Sequence, residues 1–108
     1  MDRGTSNLQP TVDEDAGRLL REAALRGDVG AGAALLEGGV DVESTSSKGS
    51  TAVYYAAQEG HAEFILLLLD SGARVNVAVG ADAVTPLLSA SSLGHAEAVE
   101  VLLAAGAD

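Results

Sequence analysis

The 108-residue chain contains no cysteine, and its aromatic residues are limited to one Phe and two Tyr, with no Trp. The lack of cysteine excludes disulfide bonds, a thiolate nucleophile and cysteine-ligated metal sites. Apolar residues nevertheless make up 47% of the chain. A core with so few aromatic side chains must be built from Ala, Leu and Val, which favours thin, closely spaced helices.

Long hydrophobic segments are also missing. The longest apolar run extends from Phe64 to Leu69, and about 20 apolar residues are needed for a helix to cross a bilayer. Residues 1–9 are polar and lack the apolar stretch of a signal peptide. We therefore expect one domain, or part of one, that is intracellular and either cytoplasmic or nuclear.

Basic residues are scarce, with 6 Lys and Arg against 16 Asp and Glu, and none follows Arg74. The resulting net charge of −10 repels phosphate backbones and anionic lipid surfaces. Nucleic acids and membranes are therefore not expected as partners, whereas a basic patch on another protein is. The alternative is that the acidity only keeps the protein soluble.

One segment of the chain occurs twice. Thr51 to Glu63 returns as Thr85 to Glu97, 34 residues later, and Leu68 to Ala73 returns as Leu102 to Ala107. A fainter copy begins at Ala23, 33 residues before its counterpart. A period near 33 predicts stacked units, none of which can bury its apolar face alone.

Glycines and apolar spacing divide each unit into two helices. The first helix is predicted to open with the capping box Thr11 to Glu14 and to end at Gly27. Further helices are predicted at residues 29–36, 52–58, 62–69, 86–92 and 96–104. The predicted organisation is a tail with a helix cap at 1–15 and a domain at 16–108, with units at 17–43, 46–77 and 80–108.

Three kinds of string resemble the ankyrin repeat. They are the T-P-L start at Thr85 to Leu87, the G-H-x-E turn at Gly60 to Glu63 and Gly94 to Glu97, and the G-A-D-V-N ending at Gly72 to Asn76 and Gly106 to Asp108. The resemblance covers roughly residues 16–108. It implies an all-α ankyrin-repeat solenoid, in which stacked helix-turn-helix units are joined by projecting turns.

The sequence departs from the family at the His that follows T-P-L, which is Tyr54 in unit two and Leu88 in unit three. That His normally organises the projecting turns by hydrogen bonding, so its loss predicts less rigid turns. His61 and His95 occupy equivalent points of adjacent units, which favours a structural role over catalysis or metal binding. No phosphate-binding string, catalytic triad pattern or metal-ligand spacing is present, so no catalytic residue, cofactor or metal is expected.

Ankyrin folds usually hold their partners with the projecting turns and the inner face of the first helices. Carried over position by position, the resemblance implies a partner-binding surface formed by Lys48, Ser50, Tyr55, Gln58, Glu59, Asp82, Val84, Ser92 and Leu93. Tyr55 suits a binding anchor because tyrosine provides a large apolar area at low entropic cost; the alternative is that it packs against the neighbouring helix. Leu66 lies where the family commonly has Lys and is a candidate second contact site.

The predicted function is non-catalytic protein–protein interaction, as an adaptor or inhibitor. One alternative is an N-terminal regulatory ankyrin domain of a larger enzyme, channel or ubiquitin-ligase adaptor. Another is a cyclin-dependent-kinase inhibitor of ankyrin type, which unit one resembles around Ala23 to Gly27. Those inhibitors share a shortened first helix in their second repeat, whereas residues 51–60 here have full length.

The core is predicted to consist of residues that share equivalent repeat positions. They are Leu20, Ala23, Ala24, Leu35, Leu36, Val53, Ala56, Ala57, Ile65, Leu68, Leu69, Leu87, Ala90, Val99, Leu102 and Leu103. A terminal repeat normally has a polar outer face. The last helix here is instead rich in apolar residues, so one of its flanks is expected to be apolar and uncovered. This predicts further repeats in a longer parent protein or self-association through the last repeat.

Overall fold

The computed structural model describes residues 16–107, which contain six helices. Within this range α1 covers residues 16–26, and the others are α2 (Val29–Glu37), α3 (Ala52–Glu59), α4 (Ala62–Asp70), α5 (Pro86–Ser92) and α6 (Ala96–Ala104). The five helices from α2 onwards agree with the predicted bounds to within one residue. The predicted capping box Thr11 to Glu14 lies outside the described residues.

The helices form consecutive pairs that stack side by side. The members of a pair contact each other, α3 with α4 and α5 with α6. Between pairs, α3 packs against α5, while α4 packs against both α2 and α6. Helix α4 therefore lies in the middle of a layer of second helices, and the all-α repeat stack predicted from the sequence is confirmed.

Most of the predicted core is buried. Leu20, Ala23, Ala24, Val53, Ala56, Ala57, Ile65, Leu68, Ala90 and Leu102 are fully or almost fully inaccessible. The partly buried Leu35, Leu36, Leu69, Leu87 and Val99 pack against this cluster. The prediction omitted Phe64, the largest fully buried side chain, and also the buried Ala52, Ala98 and Ala107.

Leu103 was predicted in the core, and this was wrong, because its side chain is 53% exposed. Its equivalent in unit two, Leu69, packs against the core, and helix α6 lies beside the helix that carries it. The equivalent residues Ala57 of unit two and Ser91 of unit three show the same contrast, since Ala57 is buried and Ser91 is exposed. Within the described residues no helix covers the outer flank of unit three, so repeat equivalence overestimates burial there.

The connections between units contain very little extended structure. Between residues 16 and 107 the only β-pairing is an isolated antiparallel bridge that joins Val79 and Val84. The turn closed by this bridge includes Ala83, whose φ of 54° lies in the left-handed region that L-residues rarely adopt. The equivalent residue of the preceding connection is Gly49, with a φ of 81°.

Candidate functional site

A histidine connects each unit to the one before it. The Nε2 atom of His61 lies 3.0 Å from the carbonyl oxygen of Leu25, and that of His95 lies 3.0 Å from the carbonyl oxygen of Gln58. Because a carbonyl oxygen can only accept, Nε2 is the donor in both bonds. The two histidines bind the ends of α1 and α3, and their predicted structural role is confirmed.

The glycine of each preceding turn makes room for the imidazole. A Cβ atom added to Gly27 would lie 2.6 Å from Nδ1 of His61, and one added to Gly60 would lie 2.5 Å from Nδ1 of His95. Both glycines also have a left-handed φ, 74° and 76°. The equivalent Gly94 has a φ of 77° but no atom within 4 Å of such a Cβ. Where the next unit stacks on the turn, as at Gly27 and Gly60, glycine is thus required for two reasons: the left-handed φ and the space taken by the imidazole.

Ser46 organises the first projecting turn. Its backbone N–H donates to the carbonyl of Ser50 at 2.9 Å, and its carbonyl accepts from Gly49 at 2.9 Å. Its Oγ accepts hydrogen bonds from the amides of Lys48 and Ser50 and from the Tyr55 hydroxyl, at 3.2–3.3 Å. This turn therefore has hydrogen bonds of its own in place of the family's histidine. The sequence reasoning missed Ser46, although a Ser followed by Gly three residues later is a turn signal.

The second projecting turn is closed by backbone bonds. The two amides of Val79 and Val84 donate to each other's carbonyls, at 2.8 and 3.0 Å. Asp82 lies between them at the exposed tip. Arg74, at the start of this connection, donates its backbone N–H to Glu43 of the preceding one, and its Nε lies 3.8 Å from the same carboxylate. The connection that precedes α3 and the connection that precedes α5 are therefore linked.

The predicted partner-binding residues differ in exposure. Lys48, Glu59, Asp82, Ser92 and Leu93 are exposed, and Tyr55, Gln58 and Val84 are partly buried. Ser50 was predicted to contact a partner, but only 3% of the residue is accessible, so its side chain is not presented at the surface. Ser50 closes the turn and begins the approach to α3, so it is covered by the structure that it supports.

Tyr55 combines the two roles that the sequence left open. Its ring packs against the core and contacts Tyr54 in an edge-on arrangement, with centroids 5.8 Å apart. Its hydroxyl reaches Ser46 in the projecting turn. The residue is neither free nor fully buried, so it fixes the turn relative to α3 while leaving part of its surface accessible.

The remaining predicted residues fall into two groups at opposite ends of the first helices. Lys48, Asp82 and Val84 belong to the projecting turns that precede α3 and α5. Gln58 and Glu59 end α3, whereas Ser92 and Leu93 end α5. A helix of eight residues is about 12 Å long, which sets the distance between the groups. Because α3 packs along α5, the members of each group lie in adjacent units.

Charge is unevenly distributed over this surface. Unit one contributes Arg26, which lies 3.7 Å from Asp28, and the first turn contributes Lys48. Unit three contains acidic residues but no Lys or Arg. The group formed by Glu59, Ser92 and Leu93 therefore offers an acidic and apolar surface toward the end of the stack.

Neither metal binding nor membrane crossing is indicated by the residues that the structure describes. Within 16–107, no three Asp, Glu or His side chains converge in a way that could hold a metal ion. No helix in the same range has both the length and the apolar character needed to cross a bilayer.

Known proteins resemble this chain in sequence. A profile for ankyrin repeats (3 copies) matches residues 20–108. "Ankyrin repeat, SAM and basic leucine zipper domain-containing protein 1" of Mus musculus is 33% identical over 114 aligned residues, and the same-named protein of Colobus guereza is 35% identical. In both cases the alignment covers all of this chain and 24% of the relative.

The chain thus spans about a quarter of the length of these curated relatives. Ankyrin repeats are generally protein-interaction modules and typically non-catalytic, and the names of these relatives denote no enzyme. The profile match, the three stacked helix pairs and the histidines that connect them agree on one assignment. The chain belongs to the ankyrin-repeat family.

Proposed function

We propose that the chain binds another protein through the surface formed by the projecting turns and the ends of α3 and α5. The residues proposed to make contact are Lys48, Tyr55, Gln58, Glu59, Asp82, Val84, Ser92 and Leu93. The observation that carries the proposal is the exposure of Leu93, which is 56% accessible beside the exposed Glu59 and Ser92. An apolar side chain with polar neighbours suits the centre of an interface.

The proposed partner presents a basic patch to this surface. Glu59 and Asp82 contribute negative charge, and the net charge of −10 extends an attractive field for a basic protein. The names of the mouse and Colobus relatives combine ankyrin repeats with a basic leucine zipper domain. A basic helical segment is therefore a suitable class of partner to test, either in another protein or in a longer form of this one.

A regulatory module within a larger protein is the second candidate function. It is favoured by the coverage of the relatives, because the matched part is only 24% of their length. An inhibitor of cyclin-dependent kinases is less well supported. Helix α3, with eight residues, is not shortened relative to α5, with seven.

Self-association is a separate proposal for the last repeat, where Leu103 is exposed on α6. A second copy that covered this side chain would make sedimentation velocity depend on protein concentration. The variant Leu103→Gln would abolish that dependence, while Leu93→Gln would preserve it.

The binding proposal is tested by affinity capture with the immobilised chain at low and high salt, followed by identification of the captured proteins. The informative variant is Glu59→Lys/Asp82→Lys. Its matched control is Glu37→Lys/Asp70→Lys, which makes the same change of charge at exposed residues that end the second helices α2 and α4. We expect the first variant to lose a partner that the control retains. Equal retention by both variants would contradict the proposed surface.

A photo-crosslinking amino acid placed at Leu93 gives an independent measurement on the same partner. We expect a covalent complex from position 93 and none from position 70. Crosslinking from position 70 alone would place the interface on the second helices instead.

A further inference from the structure

A groove of about 460 Å³ opens on the side of the molecule formed by α4, α6 and the turns between paired helices. Its apolar lining includes Phe64, Leu66 and Val101, and its acidic lining consists of Glu63, Glu97 and Glu100. None of the residues proposed above for partner binding lines this groove. It is therefore a second surface, built from the second helices of units two and three.

The apolar part of the groove is accessible. Leu66 is 50% exposed although it lies at the centre of α4, whereas Phe64, two residues earlier in the same helix, is fully buried. The equivalent of Leu66 in unit three is Glu100, and that in unit one is Ala33. Leu66 and Glu100 both line the groove, so an exposed leucine and a carboxylate of the neighbouring unit share it. Unit one, with Ala33 at this position, has neither group.

The three carboxylates have no cationic partner within the described part of the chain. Arg18 pairs with Glu22, Arg26 with Asp28 and Arg74 with Glu43. No Lys or Arg follows position 74, so unit three supplies no cation to this groove. Its negative charge is therefore available to a positively charged group from outside.

We propose that this groove binds an arginine-bearing segment of a protein partner, with an apolar residue next to the arginine. A guanidinium group has five N–H donors in a planar fork and is weakly hydrated, so it can bridge carboxylates from two helices. Its aliphatic stem and the adjacent apolar side chain cover Leu66 and Val101. Charge and apolar contact act together in this arrangement.

Simpler cations fit the site less well. The three glutamates do not converge as metal ligands do, within the residues described. Glu63 and Glu97 also lie in the first turns of α4 and α6, where the helix dipoles already favour their negative charge. A small ion at this position gains electrostatic attraction alone, whereas an arginine segment gains contact with the exposed leucine as well.

The test uses the whole chain, labelled with ¹⁵N, and a blocked Gly/Ser peptide that carries the triplet Arg-Leu-Arg. We expect amide chemical-shift changes in residues 60–66 and 97–101, and none at Asp82 or Leu93. A peptide with Gln in place of both arginines should cause no changes. Changes centred on Asp82 and Leu93 would overturn the proposal, and equally tight binding of a Lys-Leu-Lys peptide would overturn the assignment to arginine.

Variants then separate the groove from the general acidity of the chain. Glu63→Gln/Glu100→Gln should weaken the Arg-Leu-Arg peptide about fivefold, the magnitude expected for two exposed ion pairs. The control Glu37→Gln/Asp70→Asn removes the same charge elsewhere and should change the affinity less than about twofold. Equal weakening by both variants would overturn the proposal.

A second pair of variants tests the apolar contact without changing charge. Leu66→Gln should weaken peptide binding, whereas Leu88→Gln, at a similarly exposed leucine outside the groove, should not. If Leu66→Gln had no effect on peptide binding, the proposed apolar contact with Leu66 would be overturned. The variant Glu59→Lys/Asp82→Lys should still bind the peptide, so the groove and the surface proposed above can fail independently.

Discussion

At each boundary between described units, one imidazole ring lies over one glycine. The ring both donates a hydrogen bond to a helix-end carbonyl and fills the space where a Cβ would project. At Gly60 two separate requirements therefore exclude a side chain, the left-handed φ of 76° and the contact with His95. At Gly94, with nearly the same φ, only the first requirement applies.

This difference predicts unequal effects of the same substitution. Gly94→Ala should lower the free energy of unfolding by about 1 kcal/mol, the cost of a left-handed alanine. Gly60→Ala should lower it by about 2–4 kcal/mol, because the methyl group must also displace His95. Urea denaturation of both variants measures the two values. Equal losses would show that the packing of His95 on Gly60 contributes nothing to stability.

At the scale of single elements, α4 is the helix with neighbours on both sides, since it packs against α2 and α6. Two of its leucines, two positions apart, also differ in burial. Leu68 is fully buried, while Leu66 is half exposed in the groove. The two leucines differ in environment but belong to the same helix, so they form a matched pair.

Leu68→Ala should lower the free energy of unfolding by about 2–5 kcal/mol, because it removes transfer energy and leaves a cavity. Leu66→Ala should change it by less than about 0.5 kcal/mol, as at an ordinary surface position. Chemical denaturation with circular dichroism detection gives both values. A near-zero effect at Leu68 would mean that the helical register is incorrect.

Helix α6 differs from α4 in having its main contacts on one side, with α4 and α5. Local opening of such a helix breaks fewer contacts. In a confirmed monomer of this chain, the amides of residues 96–105 should exchange with deuterium faster than those of residues 62–69. Hydrogen exchange followed by NMR makes the comparison within one sample, and equal protection of the two helices would contradict the argument from uncovered surface.

For the whole molecule, the excess of 16 acidic over 6 basic residues acts at longer range than any single contact. Electrostatic attraction mainly raises the association rate, and salt screens it. For a basic partner, Glu59→Lys/Asp82→Lys should lower the association rate constant and reduce its dependence on ionic strength. Biolayer interferometry over a series of salt concentrations measures both, and a rate that is independent of salt in the unmodified chain would contradict the electrostatic proposal.

Much of the fold is encoded locally and could therefore be predicted from the sequence. The Gly-His strings mark the turns between paired helices, and Pro86 fits the first turn of α5, where Thr85 caps the helix by accepting from the Leu88 amide. Repeat equivalence also places most of the core, because equivalent residues such as Ala23, Ala56 and Ala90 are buried in all three units.

Only the tertiary structure decided the features that depend on which surfaces meet. Leu103 has the sequence of a core position, but burial requires a neighbouring helix, and none covers it within the described residues. Ser50 lies in a segment whose composition is typical of an exposed turn. It is nevertheless buried, because its backbone is hydrogen-bonded to Ser46. The groove around Leu66 is lined by residues from all three units, mainly from α4 and α6, which periodicity aligns but only packing brings together.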